Sequence, residues 1–251
     1  MNRPHINAAF DRELEDIRLN VLAMGGHVEE AILRAARALE TRDEDLAAEI
    51  VRGDKVIDAA EEEINAQVVR LLALRQPQAD DLRAAVAVMK MAGDLERLGD
   101  YAKNMAKRVP VLIASPMIEG AAGALRRQAR LVGQMLKDML DAFARLDADL
   151  ARDVVTRDVE VDNMTNALFR EFITHMMEDP RNITPCLHYI FIAKNIERMG
   201  DLVTHGAEHV IFVTEGSPAE PRVKGPFHRH HRHAGKLTHD PSRQAPDPGR
   251  R

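Results

Sequence analysis

An all-α fold of two tandem three-helix bundles is expected of this 251-residue chain. Composition points there first. Hydrophobic residues make up 45%, aromatics only 4%, and tryptophan is absent. Ala, Leu, Val, Met, Arg, Glu and Asp dominate and β-branched runs are scarce, a mixture that suits long helices better than sheets. Periodicity is the second sign, because apolar residues recur at spacings of three and four almost from end to end. The third is a repeated phrase: "DLERLGD" near residue 95 returns as "NIERMGD" near residue 196.

The elements follow in order. In the first helix Val21, Met24, Val28, Ile32, Ala35 and Leu39 form one apolar stripe. "TRDE", Thr41 to Glu44, has the form of a capping box and opens a second helix. That helix continues through Val56, Ile64, Val68 and Leu71 until Pro77, which cannot extend it. Asp80 or Asp81 caps a third helix reaching about Val109. "VPVLIASP" breaks the pattern, and Pro116 suits the first turn of a fourth helix. A fifth runs from about Asp147 to Met177, and Thr184-Pro185 opens a sixth that ends near "TEGSP".

Two slides along the chain test the repeat. At an offset of 104, Asp43, Asp45, Leu46, Ala47, Val51, Asp54 and Asp58 meet identical residues. At 101, so do Ala92, Glu96, Arg97, Gly99, Asp100, Ala106 and Val109. The change of offset falls in a helix–helix turn, where loops absorb length. The units expected are a first bundle over 1–114, a second over 115–216, and a tail over 217–251. A single continuous bundle with no domain boundary is the alternative.

Charge and composition exclude several functions. The net charge is −5, but the segment from Glu220 onward holds eight Lys/Arg against three Asp/Glu, leaving the body at about −10. An acidic body is a poor partner for phosphate backbones, so no nucleic-acid binding is expected. No apolar stretch approaches the roughly 18 residues of a membrane span. The N-terminus turns acidic at once and lacks the apolar segment of a signal peptide. One cysteine, Cys186, rules out an internal disulfide framework. A soluble cytoplasmic protein without membrane insertion is expected. The tail, rich in Pro, His and Arg, is expected to be disordered and dispensable. It carries five of the eleven histidines and invites adventitious zinc or nickel.

The repeated phrase carries the candidate chemistry. Residues four apart share a helix face. Glu96 and Asp100 therefore form a stripe with Asn104 above it, and Glu197, Asp201 and His205 form its counterpart. On the preceding helices the stripes are Asp54, Asp58 and Glu62, then Asp158, Asp162 and Asn166. Asp58 and Glu96 each lie 19 residues from Pro77, and Asp54 and Asp100 each lie 23 from it. In an antiparallel hairpin equal distance from the turn means equal height. Around Pro180 the corresponding distances are 18 and 17, then 22 and 21. Clustered carboxylates need positive charge nearby. Arginines supply it, or metal ions do, and oxygen-only ligands favour hard cations such as iron, manganese, magnesium or calcium. An exposed acidic face with solvated charges is the bland reading, weakened by the duplication. Gly99 and Gly200 each cost about 1 kcal/mol relative to Ala in a helix interior, which points to close helix approach.

"MKMAGDLERLGDYAKNMAKRV" and "MMEDPRNITPCLHYIFIAKNIERMGDLVTHGAEHV" resemble the PhoU family of phosphate-transport regulators, from about Phe10 to Gly216. The resemblance implies a cytoplasmic homodimer of paired three-helix bundles. It also implies multinuclear metal clusters of iron, manganese, zinc or magnesium, held by E(D)-x-x-x-D motifs. The matching residues here are Asp54, Asp58, Glu96, Asp100, Asp158, Asp162, Glu197 and Asp201. The implied role is negative control of the phosphate-starvation response. It couples a phosphate ABC transporter, through its ATPase subunit, to a sensor histidine kinase. The family pattern does not account for the tail.

An enzyme is the rival class: a carboxylate-bridged dinuclear redox bundle of the ferritin type. Such sites use Glu-x-x-His on two helices. That motif is absent, since Glu171 and His175 are four apart. Cys186 and His188 point in different directions on a helix, and the glycines form no phosphate-binding loop. His27 and His209 read most simply as surface or packing histidines. No enzymatic activity is expected.

Overall fold

The computed structural model describes residues 8–77 and 79–216. Six long helices and one short one account for nearly all of them: α1 Ala8–Thr41, α2 Glu44–Arg75, α3 Asp80–Ala106, α4 Val109–Ile113, α5 Ala121–Arg145, α6 Ala148–Glu178 and α7 Ile183–Glu215, with a 3₁₀ turn at Pro180–Asn182. There is no strand among the described residues. α1, α2 and α3 pack pairwise as one three-helix bundle, and α5, α6 and α7 as a second. The bundles lie against each other through α1 on α5 and α3 on α7. The tail expected over 217–251 lies outside the described residues.

The stripe Ile17, Val21, Met24, Val28, Ile32, Ala35 and Leu39 buries one face of α1 in an aliphatic core that runs through both bundles. Glycine sets the distance between them at one crossing. A Cβ at Gly25 would sit 2.5 Å from Leu140 Cδ1, so the Leu140 side chain of α5 packs directly onto the α1 backbone there. Two of the few aromatics meet in the second bundle, Phe172 stacked on Tyr189 at 5.6 Å.

The turns repeat as faithfully as the helices. Arg42 after α1 and Leu146 after α5 both take left-handed backbone, φ 54° and 53°. The next residue, Asp43 or Asp147, sends its N–H back to Ala38 O (3.0 Å) or Ala142 O (2.9 Å). That six-to-one bond closes the preceding helix as a Schellman turn. The same aspartate then caps the following helix. Asp43 accepts from Leu46 N, and Asp147 from Asp149 N and Leu150 N. Each pair of residues ends one helix and starts the next.

Several local expectations need correction. The cap of α2 is Asp43, not Thr41, whose hydroxyl instead donates to Arg37 O within α1. Val56 is 54% exposed and its neighbour Ile57 takes the core position. Asp80 and Asp81 lie inside the first turn of α3, where they favour the helix dipole rather than cap it. The fourth long helix starts at Ala121, not Pro116. Between them α4 forms, and the Arg42 guanidinium donates to its end at Leu112 O, Ile113 O (2.8 Å) and Ser115 O (3.2 Å). One side chain thereby ties the first turn of the fold to the link between bundles.

Candidate metal centres on the helix hairpins

In the first bundle, α2 and α3 bring the expected acids to one place. Asp54 is buried, while Asp58, Glu96 and Asp100 are half-buried. Lys103, one turn beyond Asp100, ion-pairs both Asp54 and Asp100, the latter at 2.6 Å. Asp54 and Asp100 therefore stand at one level across the hairpin, as equal distance from Pro77 requires. Burial pushes the Asp58 carboxyl above the usual carboxylate range, with the Asp54 and Asp100 charges adding to it and Lys103 opposing. Glu96 is raised for the same reasons: burial first, then Asp100, Asp58 and Glu61. Lys103 is held well above the ordinary lysine value by its bonds to Asp100 and Asp54.

Gly99 explains the close approach. A Cβ there would fall 2.9 Å from Ile57 Cδ1 and 3.6 Å from Asp54 Oδ1. The second bundle repeats the arrangement more tightly. A Cβ at Gly200 would fall 2.9 Å from Asp158 Oδ1 and 3.3 Å from Val161 Cγ1. The glycine of the second E-R-x-G-D phrase is thus the slot for Asp158, while that of the first admits Ile57 with Asp54 beside it. Glu197 is buried and pairs with Lys194 at 2.5 Å, whereas Asp158, Asp162 and Asp201 are half-buried. Arg97 and Arg198 are exposed, each about 100° around its helix from the neighbouring acid.

Both sites offer oxygen donors only. That set suits hard cations, and the glycine slot at Asp158 holds a carboxylate where any side chain would displace it. In donor chemistry the residues present suit hard cations rather than soft ones. Asp54, Asp58, Glu96 and Asp100 would hold ions in the first bundle, and Asp158, Asp162, Glu197 and Asp201 in the second.

A further group escaped the sequence reading. Asp94 of α3 is buried, and it meets His205 and His209 of α7 across the junction of the bundles. His205 Nδ1 donates to Asp94 Oδ2 at 2.7 Å, so His205 turns to Asp94 instead of extending the stripe of Glu197 and Asp201. Burial first, and then the neighbouring His205 and Lys90, push the His209 ring down to about 4, so it stays neutral. The only sequence trace of this group is the i,i+4 spacing of the two histidines. His27, in contrast, is exposed.

The comparisons agree with this architecture along its length. A family model described as PhoU domain matches twice, at residues 21–109 and 125–210. The chain belongs to the PhoU family. The "Phosphate-specific transport system accessory protein PhoU homolog" of Zymomonas mobilis is 43% identical over 221 residues, covering 88% of this chain and 93% of that protein. Its namesake in Rhizobium meliloti is 41% identical, with 90% and 94% covered. Among solved structures, PhoU from Pseudomonas aeruginosa superposes with a TM-score of 0.80 at 40% identity, covering 83% of this chain and 100% of that one. The two PhoU-domain matches coincide with the two bundles. Among the described residues no helix is long and apolar enough to cross a membrane.

Proposed function

We propose that this PhoU-family protein is a non-enzymatic accessory regulator of a phosphate transport system, built on units 1–114 and 115–216 and working in the cytoplasm. In this reading it binds the ATPase subunit of the phosphate ABC transporter and a sensor histidine kinase. It keeps the starvation response off and restrains uptake when phosphate is plentiful. The observation that carries the reading is the duplicated hairpin site, in which Asp54 and Asp158 lie against the glycines of two E-R-x-G-D phrases. Relatives matching nearly the whole chain carry the accessory-protein description, which supports the transporter as partner.

Metal ions at the eight carboxylates give the hairpins rigidity and a fixed positive charge. The protein's own groups do the rest: the glycines admit the aspartates, and the buried aliphatic rows beneath hold the two helices in register. Self-association has its own support. Phe169, Ile173 and Met177 run along one face of α6, and Ile183, Leu187 and Phe191 along the start of α7, all exposed. Apolar rows of that length mark interaction surfaces, and a homodimer through them is part of the proposal. The ferritin-type redox reading has less behind it, because the acids sit on hairpin faces over an aliphatic core.

The test is genetic. A strain lacking the protein should express starvation genes in high phosphate, and the wild-type chain should restore repression. A variant with Asp158→Asn and Asp201→Asn should fold yet restore it poorly. A deletion strain that still repressed those genes in high phosphate would contradict the proposal.

A further inference from the structure

Asp94, His205 and His209 lie apart from the carboxylate hairpins, on the seam between the third helix of one repeat and the third helix of the other. Their ligating atoms all lie within 4.8 Å of one another. His205 Nδ1 is 2.7 Å and His209 Nε2 3.8 Å from the same oxygen, Asp94 Oδ2. Tetrahedral zinc with bonds of about 2.0–2.1 Å separates its ligand atoms by about 3.3 Å. One contact must therefore open slightly and the other close slightly, within the reach of side-chain rotation. Two histidines one helical turn apart on one face are a chelating pair.

A second observation points to a ligand. The His209 side chain is only 10% exposed, and its Nε2 has no hydrogen-bond partner although it faces Asp94. A buried ring nitrogen without a partner costs free energy that a ligand would recover. The two rings meet edge to face at 4.3 Å, which fixes their planes. His205 is 47% exposed and opens the group to solvent on one side. Charges around the site are mixed: Lys90 and Arg97 flank Asp94 on α3, and Glu208 neighbours His209 on α7.

We propose that Asp94, His205 and His209 form a mononuclear site for a divalent transition metal of the zinc class, which pins the two PhoU repeats to each other. Two imidazoles and one carboxylate suit zinc better than magnesium or calcium, which prefer all-oxygen shells. Three protein ligands leave a fourth position for water on the open side of His205. For His205 Nδ1 to bind the metal, the proton it now donates to Asp94 moves to the ring's Nε2. The site is separate in chemistry from the oxygen-only hairpins, so each can fail without the other.

The experiment uses the full-length chain with the tail histidines His228, His230, His231, His233 and His239 replaced by Gln, stripped with chelator. Zinc chloride is then titrated against a chromophoric competitor, and Tm is read with and without the metal. The expected result is one equivalent of zinc bound tightly, with a rise in Tm. His205→Gln, an exposed position that keeps the fold by circular dichroism, should weaken that equivalent at least tenfold and abolish the Tm rise. Asp158→Asn with Asp201→Asn should leave both intact. Unchanged zinc stoichiometry, affinity and Tm rise in both His205→Gln and His209→Gln would overturn the proposal. So would zinc binding lost in the Asp158/Asp201 variant alone.

Discussion

The two bundles share helices, turns and acids but part company at one position. Lys103 in the first bundle corresponds, at the offset of 101, to Thr204 in the second. Lys103 sends its ammonium between Asp54 and Asp100. Thr204 is buried and turns its hydroxyl back onto Gly200 O at 2.7 Å. The first hairpin therefore carries a cation of its own among its acids, where the second has an uncharged side chain bonded to backbone. A metal entering the first must displace an internal amine. At the second no amine stands in that place, although Lys194 reaches the buried carboxylate of Glu197 at 2.5 Å from one turn earlier on the same helix. Duplication preserved the acids and the glycine slot while the counter-ion was free to diverge.

Removing that amine should have the largest effect. Lys103→Met leaves buried Asp54 without its charge partner. Metal-free protein should lose about 3 kcal/mol in urea unfolding, as buried pairs do when one partner is deleted. Manganese or magnesium should recover most of the loss. Thr204→Val, which removes only a back-bond, should cost under about 1 kcal/mol. Equal losses in the two variants would erase the asymmetry.

The glycine slots come next. Ala at Gly200 meets the Asp158 carboxylate at 2.9 Å, whereas at Gly99 the nearest atom is the end of Ile57. Overpacking costs about 1–3 kcal/mol, and Ala returns about 1 kcal/mol of helix propensity. Gly99→Ala should therefore come out near neutral to 1 kcal/mol destabilising. Gly200→Ala should cost about as much or slightly more, and should also weaken metal binding in the second bundle at least tenfold. Isothermal titration of each variant separates these outcomes. A Gly200→Ala protein with unaltered metal affinity would remove Asp158 from the site.

The caps should differ least. Asp43→Ala and Asp147→Ala each remove a helix N-cap worth about 1 kcal/mol. Asp147 accepts two backbone N–H groups against one for Asp43, so its loss should be larger by a few tenths of a kcal/mol. Thr41→Ala, outside the cap, should be close to neutral. Chemical denaturation of the three variants checks the order.

Much of this was legible in the sequence because it is local or periodic. The α1 stripe and the duplicated acids need only helical geometry and a count from the turn. Failures came where two readings competed locally. Thr41 and Asp43 both look like caps, and the left-handed residue Arg42 between them decides for Asp43. Val56 and Ile57 are adjacent, and the seven-residue spacing of Ile50, Ile57, Ile64 and Leu71 selects Ile57. Lys103 was visible one turn from Asp100, yet its reach to Asp54 depends on how the two helices face. Asp94 and His205 are 111 residues apart. No spacing rule joins them, because their meeting depends on how one whole repeat docks on the other.

The central claim is that the hairpin carboxylates converge to hold cations and that a cation entering the first hairpin must displace the Lys103 amine. Crystals grown from chelator-stripped protein and soaked in graded manganese test it by anomalous scattering. Peaks should appear among the carboxylates of both hairpins, and beside Asp54 and Asp100 only with Lys103 turned away. Absence of peaks at both hairpins, or the first hairpin filling while Lys103 still bridges Asp54 and Asp100, would contradict the account.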